Sequence, residues 1–188
     1  NEDPNISINP PLPSIDFSKR HYSAGGITPR SAPKQRGVGQ KNTPMMHYEG
    51  KTIRQNLEEL ASEEGSPYEG IQINFTNPIN GKPVFTTLGY NAQLLRPSEK
   101  TLPCRQTASA LYCCISGHGY TEICGERYEW EENDIFIVPN HLWRKHVNLN
   151  KDGNAILYGV TDAPLLQKIG HFRSQGRTQK GKLIELDW

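Results

Sequence analysis

From Leu94 onward, short apolar runs alternate with turn residues, and this pattern constrains the fold more than any other feature of the sequence. Gly117-His118-Gly119, Pro139-Asn140 and Lys151-Asp152-Gly153 are examples of the turns. Short strands at regular spacing with such turns are typical of an antiparallel sandwich or barrel, and not of alternating strands and helices. The predicted strands span residues 110–115, 120–124, 128–130, 135–138 and 155–160.

The chain before this region has a different character. Residues 1–44 are rich in Pro, Gly, Ser and Asn and show no periodicity, which predicts an extended arm or linker. Residues 45–93 predict an amphipathic helix from Thr52 to about Glu64, followed by a hairpin that pairs residues 68–75 with 83–87.

Three regions follow from this division: the arm at 1–44, the helix and hairpin at 45–93, and a barrel at 94–188. The barrel is expected to end in a helix over about 163–170 and a basic tail through Lys182. Leu165, Leu166 and Ile169 recur at helical spacing, so we expect them to pack that helix against the barrel.

Composition excludes two classes of protein. The formal net charge is +1, which argues against a nucleic-acid-binding protein that relies on bulk positive charge. No apolar run approaches the roughly 20 residues that a membrane-spanning helix needs.

The cysteines and the first residues of the sequence indicate where in the cell the protein is located. Cys104, Cys113, Cys114 and Cys124 are too few and too clustered for a disulfide framework, so we interpret them as reduced thiols. The sequence starts Asn-Glu-Asp-Pro without an apolar leader, which predicts a cytoplasmic protein. We interpret this start, which has no initiator Met, as the middle of a longer chain.

Two stretches of the barrel resemble the sequence motifs of the cupins. Cupins carry H-x-H and then Gly in the first motif, and in the second a G-D pair, Pro, His and Asn. Gly117 matches the first motif, and Asp134, Pro139 and Asn148 match the second.

A closer resemblance is to the gentisate 1,2-dioxygenase family of bicupins, which includes salicylate and 1-hydroxy-2-naphthoate dioxygenases. It concerns the C-terminal half of such chains and covers most of this sequence. The resemblance implies an all-β cupin double-stranded β-helix, or jelly-roll barrel, with an N-terminal arm, a short helix and a C-terminal helix. It depends on the order and spacing of fragments at residues 44–48, 57–60, 77–89, 109–112, 117–119, 128–130, 134–139 and 161–164.

The same resemblance implies an enzyme that opens the ring of a hydroxylated aromatic acid with O₂ and Fe(II). In this family three His ligands come from one cupin, generally the N-terminal one. Here Cys104 and Gln106 occupy the H-x-H positions, and Arg144 occupies that of the second-motif His. Because an arginine is always charged and offers no lone pair, it would repel a dication. We therefore expect neither a metal nor a catalytic residue in this half.

The other residues of interest form a possible pocket: Arg105, Tyr112, Trp143 and His146. The arginines could bind a carboxylate in a bidentate fork, or they could pair with an internal acid such as Glu129 or Asp134. His146 could be a ligand or proton relay, or a strand histidine held by hydrogen bonds.

Two functions are open at this point. In the first, the chain is the C-terminal cupin of a ring-cleaving dioxygenase and is inactive alone. Its partners would be an N-terminal cupin of the same chain carrying Fe(II), an aromatic hydroxy acid with O₂, and further copies in a homo-oligomer. In the second, the chain is a stand-alone metal-free cupin that binds a small anion through Arg105, Gln106 and Arg144.

Overall fold

The computed structural model describes residues 47–77 and 80–186, so the predicted arm at 1–44 lies outside the described residues. These residues fall into two units. The smaller unit contains His47 and a turn in which the backbone amides of Asn80 and Gly81 donate to the Asn77 carbonyl. The larger unit comprises residues 48–76 and 82–186 and contains every element named below.

The elements of the larger unit are mostly short strands. Its helices are α1 (Gly50–Leu60) and α2 (Ala163–Lys168). The strands are β1 (Ile71–Asn74), β2 (Gly89–Leu95), β3 (Cys104–Gln106), β4 (Ala110–Ser116), β5 (Gly119–Ile123), β6 (Glu126–Trp130), β7 (Ile135–Val138), β8 (Arg144–Asn148), β9 (Ala155–Thr161), β10 (Ser174–Arg177) and β11 (Leu183–Glu185).

The strands form two antiparallel sheets. Sheet 1 has the order β1-β2-β9-β4-β7, and sheet 2 has the order β11-β10-β3-β8-β5-β6. Successive side chains along a strand point to opposite faces of the sheet, so each sheet turns one set of apolar side chains inward. The two faces share a core of Leu95, Tyr112, Cys114, Ile123, Trp130, Val138, Ala155 and Leu157.

Part of the outer face of sheet 1 is covered by the segment that precedes the barrel. Leu57 of α1 is fully buried and packs with Ile71, Ala92, Leu94 and Ile156 of three strands. Beside this cluster lies a group of aromatic rings with centroids 5.0–6.4 Å apart, formed by Tyr48, Phe75, Phe85, Tyr90 and Tyr158.

The predicted hairpin differs from the structure in its second strand. β1 pairs with β2, so Ile71 lies opposite Leu94, and residues 83–87 contribute only an isolated bridge between Thr76 and Pro83. β2 thereby runs through residue 94, where the sequence analysis places the start of the barrel. Helix α1 also ends earlier than predicted, at Leu60, and its first turn is not capped by a side chain.

The C-terminal region differs as well. Leu165 and Ile169 are exposed, so the expected packing of this helix on the barrel through both residues is wrong. The predicted basic tail through Lys182 instead contains β10, and β11 follows it; the two strands extend sheet 2 beyond β3. The five strands predicted between residues 110 and 160 are all present, and β7 has the predicted bounds.

The described residues contain no helix with the length and apolarity that crossing a bilayer requires.

Candidate functional site

The residues at the metal positions of the cupin motifs meet inside the barrel. β3 and β8 pair so that Cys104 lies opposite Arg144, and both side chains are buried. Gln106 lies two residues after Cys104, on the same face of β3, and is half-buried. The structure thus brings Cys104 and Arg144 together at the position where the resemblance places metal ligands.

Arg144 is paired with an acid that the sequence analysis did not name. Nη2 of Arg144 lies 3.3 Å from Oε1 of Glu69, and both side chains are buried. Glu69 precedes β1, beside Gly70, whose φ of +65° is strained for other residues. Glu129 and Asp134, the acids expected to pair with arginine, are both exposed, so that prediction is wrong.

In this cluster the attraction between Arg144 and Glu69 opposes the cost of burying their charges. Burial by itself would lower the pKa of Arg144, but Cys104, Tyr112 and Glu69 outweigh it and raise that pKa, so the guanidinium stays charged. Burial raises the pKa of Glu69 against the effect of Arg144. Burial likewise raises the pKa of the Cys104 thiol and of the Tyr112 hydroxyl, against the effect of the charge of Arg144.

His146 is a buried neutral imidazole next to this pair. Its Nδ1 lies 2.8 Å from Oγ1 of Thr121, which also accepts a hydrogen bond of 3.0 Å from Nε1 of Trp130. The ring of Tyr112 meets the imidazole edge-on, with centroids 5.0 Å apart. Burial, and next the charge of Arg144, lowers the pKa of His146 to about 3. A group with this pKa accepts no proton near neutral pH, which disfavours a role as a proton relay.

The four candidate pocket residues do not lie together. Tyr112 and His146 face the interior, but Arg105 lies between Cys104 and Gln106 and points to the opposite face of β3. There Arg105 donates two hydrogen bonds to Oε1 of Gln175.

Trp143 belongs to this outer group. Its ring centroid lies 4.8 Å from the guanidinium carbon of Arg105 and 4.6 Å from that of Arg177. Arg105 and Trp143 therefore form a stack with Arg177 on the outside of sheet 2, and they are separate from the buried cluster around Arg144.

The buried cluster does not fit Fe(II). It offers one imidazole, one thiol whose pKa is raised, and a guanidinium that is already paired with Glu69. Iron sites of the kind that the resemblance implies need several neutral or anionic donors around open positions. Nowhere in residues 47–77 and 80–186 do three His, Cys, Asp or Glu side chains group so that they could hold a metal ion.

Two nitrogens of the cluster have no hydrogen-bond partner among the described residues: Nε of Arg144 and Nε2 of His146. Glu69 and Thr121, which complete the cluster, were not predicted from the sequence. Both belong to alternating strand patterns, and nothing in the sequence links Glu69 to an arginine 75 residues later.

Similarity to characterised proteins is confined to part of their length. The chain is 41% identical over 171 residues to 5-aminosalicylate 1,2-dioxygenase of a Comamonas species, covering 88% of this chain and 43% of that protein. It is 33% identical over 132 residues to gentisate 1,2-dioxygenase of a Haloferax species, covering 69% and 36%. The chain thus spans less than half the length of these curated relatives. No model of a protein family matches it.

Solved structures agree on the fold. A salicylate 1,2-dioxygenase from Pseudoaminobacter salicylatoxidans, crystallised with gentisate, superposes with a TM-score of 0.72 at 23% identity. The superposition covers 86% of this chain and 44% of that one. It confirms the predicted all-β barrel of two antiparallel sheets.

Proposed function

Because the chain is homologous to the C-terminal half of the gentisate 1,2-dioxygenase family, we propose that it is the C-terminal cupin of a ring-cleaving dioxygenase. The whole enzyme would open a hydroxylated aromatic acid with O₂. Its Fe(II) would be held by the other cupin, and this half alone would be inactive.

One observation carries the proposal: 88% of this chain matches a dioxygenase, yet the match accounts for only 43% of that dioxygenase. The chemistry of the barrel supports it. Arg144 and Glu69 fill the place of a metal site with an ion pair, so the residues described here offer no place for iron.

The role that we propose for this half is structural. The buried cluster of Arg144, Glu69, Tyr112 and His146 links β4, β8 and the segment before β1 from inside the barrel. It would do so without a metal, and we assign no step of ring cleavage to these residues. A cytoplasmic location is part of the proposal and is supported by four cysteines that are all free thiols. The homo-oligomer is also a proposal and follows from the resemblance alone.

The geometry does not favour the small-anion module. That function requires Arg105, Gln106 and Arg144 to converge on one ligand. Arg105 instead contacts Gln175 and Trp143 outside the barrel, and Arg144 is neutralised by Glu69.

The first test is the denatured mass of the natural gene product, combined with iron content and O₂ uptake. We expect a mass about twice the 21.2 kDa of this chain or more. We also expect bound iron, and O₂ uptake with 5-aminosalicylate, gentisate or salicylate. A natural product of 21.2 kDa without iron would contradict the proposal.

A second test asks whether this barrel holds any of that iron. Arg144→Ala in the natural gene product should leave iron per chain unchanged while it lowers stability. Glu69→Gln, which keeps the shape of the side chain, should also leave iron unchanged, and Lys145→Ala on the outside of β8 is the matched control. Loss of iron in both interior variants, but not in the control, would show that the metal lies in this half.

A further inference from the structure

The outer face of sheet 1 is apolar beyond the area that the described part of the chain covers. Residues directly opposite each other in neighbouring strands share a face. The register places Ile137 opposite Leu111 and Ile135 opposite Cys113. It also places Leu111 opposite Val160 and Cys113 opposite Tyr158. We call this surface the β4–β7 face; its residues are Leu111, Cys113, Ile115, Ile135, Ile137, Tyr158 and Val160.

Three isoleucines of this face are strongly exposed. Ile115 is 43% exposed, Ile135 is 64% exposed and Ile137 is 59% exposed. None of the seven residues of the face carries a charge. The neighbouring part of the same outer face is covered by α1 and by the rings of Phe75 and Tyr90, which reach as far as Tyr158 at the border of the β4–β7 face. Among residues 47–77 and 80–186, the sheet is thus packed on its β1–β2 side and uncovered on its β4–β7 side.

The outer face of sheet 2 shows what a solvent-facing sheet of this protein looks like. There Nζ of Lys145 pairs with Oε2 of Glu122 at 2.9 Å, and Arg127 lies over the ring of Tyr120. Antiparallel sheets normally present polar side chains to water. An apolar surface on one sheet only is typical of a protein interface.

The open edge of sheet 1 also indicates an interface. Within the described residues β7 pairs only with β4, so its outer edge is open. Stand-alone proteins usually protect such an edge with charged residues or proline inside the strand. β7 reads Ile-Phe-Ile-Val and has neither.

We propose that the β4–β7 face is the docking surface for the upstream half of the same chain, which rests on the function proposed above. The relatives supply the reason for this occupant, because more than half of the 5-aminosalicylate dioxygenase lies outside the match. A partner of that size can cover a three-strand face, and its tether makes the contact intramolecular. Exposed Ile135 and Ile137 would then be buried in the natural gene product.

The face contains its own reporter. Cys113 lies between Ile135 and Tyr158, and Cys124 is exposed at the turn between β5 and β6 of sheet 2. In the natural gene product a maleimide should modify Cys124 rapidly and Cys113 at least about tenfold more slowly, as read by peptide mass spectrometry. The slow labelling of Cys113 should not change on dilution, because an intramolecular contact does not depend on concentration.

Variants separate docking from folding. Ile135→Glu with Ile137→Glu changes two side chains that are exposed in this half, so it should cost the barrel itself little. A carboxylate beside Cys113 does not by itself speed the reaction of the thiol, so faster labelling reports loss of docking. In the natural gene product the double variant should speed Cys113 labelling by about tenfold. Tyr128→Glu, at a residue 46% exposed on β6, is the matched control and should leave the rate unchanged.

The outcomes are distinct. A natural product no longer than this chain would overturn the proposed function, and this inference with it. A long product in which Cys113 reacts as fast as Cys124 would overturn only the docking surface. Labelling that becomes faster on dilution would identify a second copy as the occupant and would also overturn it.

Discussion

At the scale of single residues, the ion pair between Arg144 and Glu69 is the feature on which the interior depends. Removing one partner of a buried pair leaves an uncompensated charge, whereas replacing both with apolar groups is often neutral. Glu69→Leu should therefore lower the free energy of unfolding by about 3–5 kcal/mol. Glu69→Leu combined with Arg144→Met should recover most of that loss. Urea unfolding of the wild type, of Glu69→Leu, of Arg144→Met and of the double variant gives the double-mutant cycle.

Glu122→Ala is the control for this cycle. It removes a half-exposed pair with Lys145 on the outside of sheet 2, so we expect a loss below about 1 kcal/mol. A loss for Glu69→Leu no larger than that for Glu122→Ala would show that the buried pair contributes little.

His146 predicts a pH dependence of stability. Its pKa is about 3 in the fold against 6.5 for an ordinary histidine, so the unfolded chain binds more protons between these values. Its contribution is complete above pH 6.5 and is lost as the pH falls toward 3, at up to about 1.4 kcal/mol per pH unit. Glu69 acts in the opposite direction because its pKa is raised. The readout is therefore the difference between wild type and His146→Phe in urea unfolding from pH 7 to 4.

That difference should shrink as the pH falls, because the variant has no buried imidazole to protonate. His118→Gln, at an exposed turn residue, should run parallel to the wild type over the same range. A His146→Phe curve that also runs parallel to the wild type would contradict the neutral buried imidazole.

The sequence located part of this cluster and missed the rest for a physical reason. Cys104, Arg144, Tyr112 and His146 could be named because motif spacing fixes their places in the strands. Glu69 could not, since its contact with Arg144 spans 75 residues and depends on how the segment before β1 crosses the barrel. Arg105 was misplaced because a motif does not show which face of a three-residue strand a side chain takes.

At the scale of elements, the end of α1 is held by one arginine. The guanidinium of Arg96 donates to the carbonyls of Ala61, Glu63 and Glu64, and it pairs with Glu99 at 3.0 Å. These carbonyls belong to the segment that follows the last turn of α1, so Arg96 fixes the chain where it leaves the helix. Arg96→Ala should cost about 1–3 kcal/mol.

Amide hydrogen exchange reports this change locally. The amide of Leu57 should lose protection in Arg96→Ala, since the helix is then held on sheet 1 mainly by its apolar side. Arg54→Ala removes an exposed pair with Glu58 on the same helix and should leave that amide unchanged. Equal protection of Leu57 in the two variants would contradict the role of Arg96.

Elements were predictable where local pattern decides them. β7 is a short apolar run between two turns, and its bounds were predicted from the sequence. The hairpin was wrong in its second strand because an Asn-Gly turn favours a tight connection, whereas β1 finds its partner in β2 through pairing with the rest of sheet 1. β10 and β11 are short and polar, so their pairing comes from the free edge of β3 and not from their own composition.

At the scale of the whole molecule, the last strands tie sheet 2 to the buried cluster. β10 pairs with β3 so that Gly176 lies opposite Cys104. The ring of Tyr68 packs onto Gly176, where a Cβ would meet it at 2.6 Å, and Tyr68 directly precedes Glu69. β10 therefore supports both the strand that carries Cys104 and the segment that carries Glu69.

Shortening the chain tests this dependence. A chain that ends at Arg177 loses β11 but keeps β10, and its thermal midpoint should fall by less than about 4 °C, which corresponds to about 1 kcal/mol for a domain of this size. A chain that ends at Arg173 also loses β10, which leaves β3 and Tyr68 uncovered. Its thermal midpoint should fall much further, or the chain should fail to fold. Thermal unfolding followed by circular dichroism distinguishes the two, and equal midpoints would show that the cluster stands without β10.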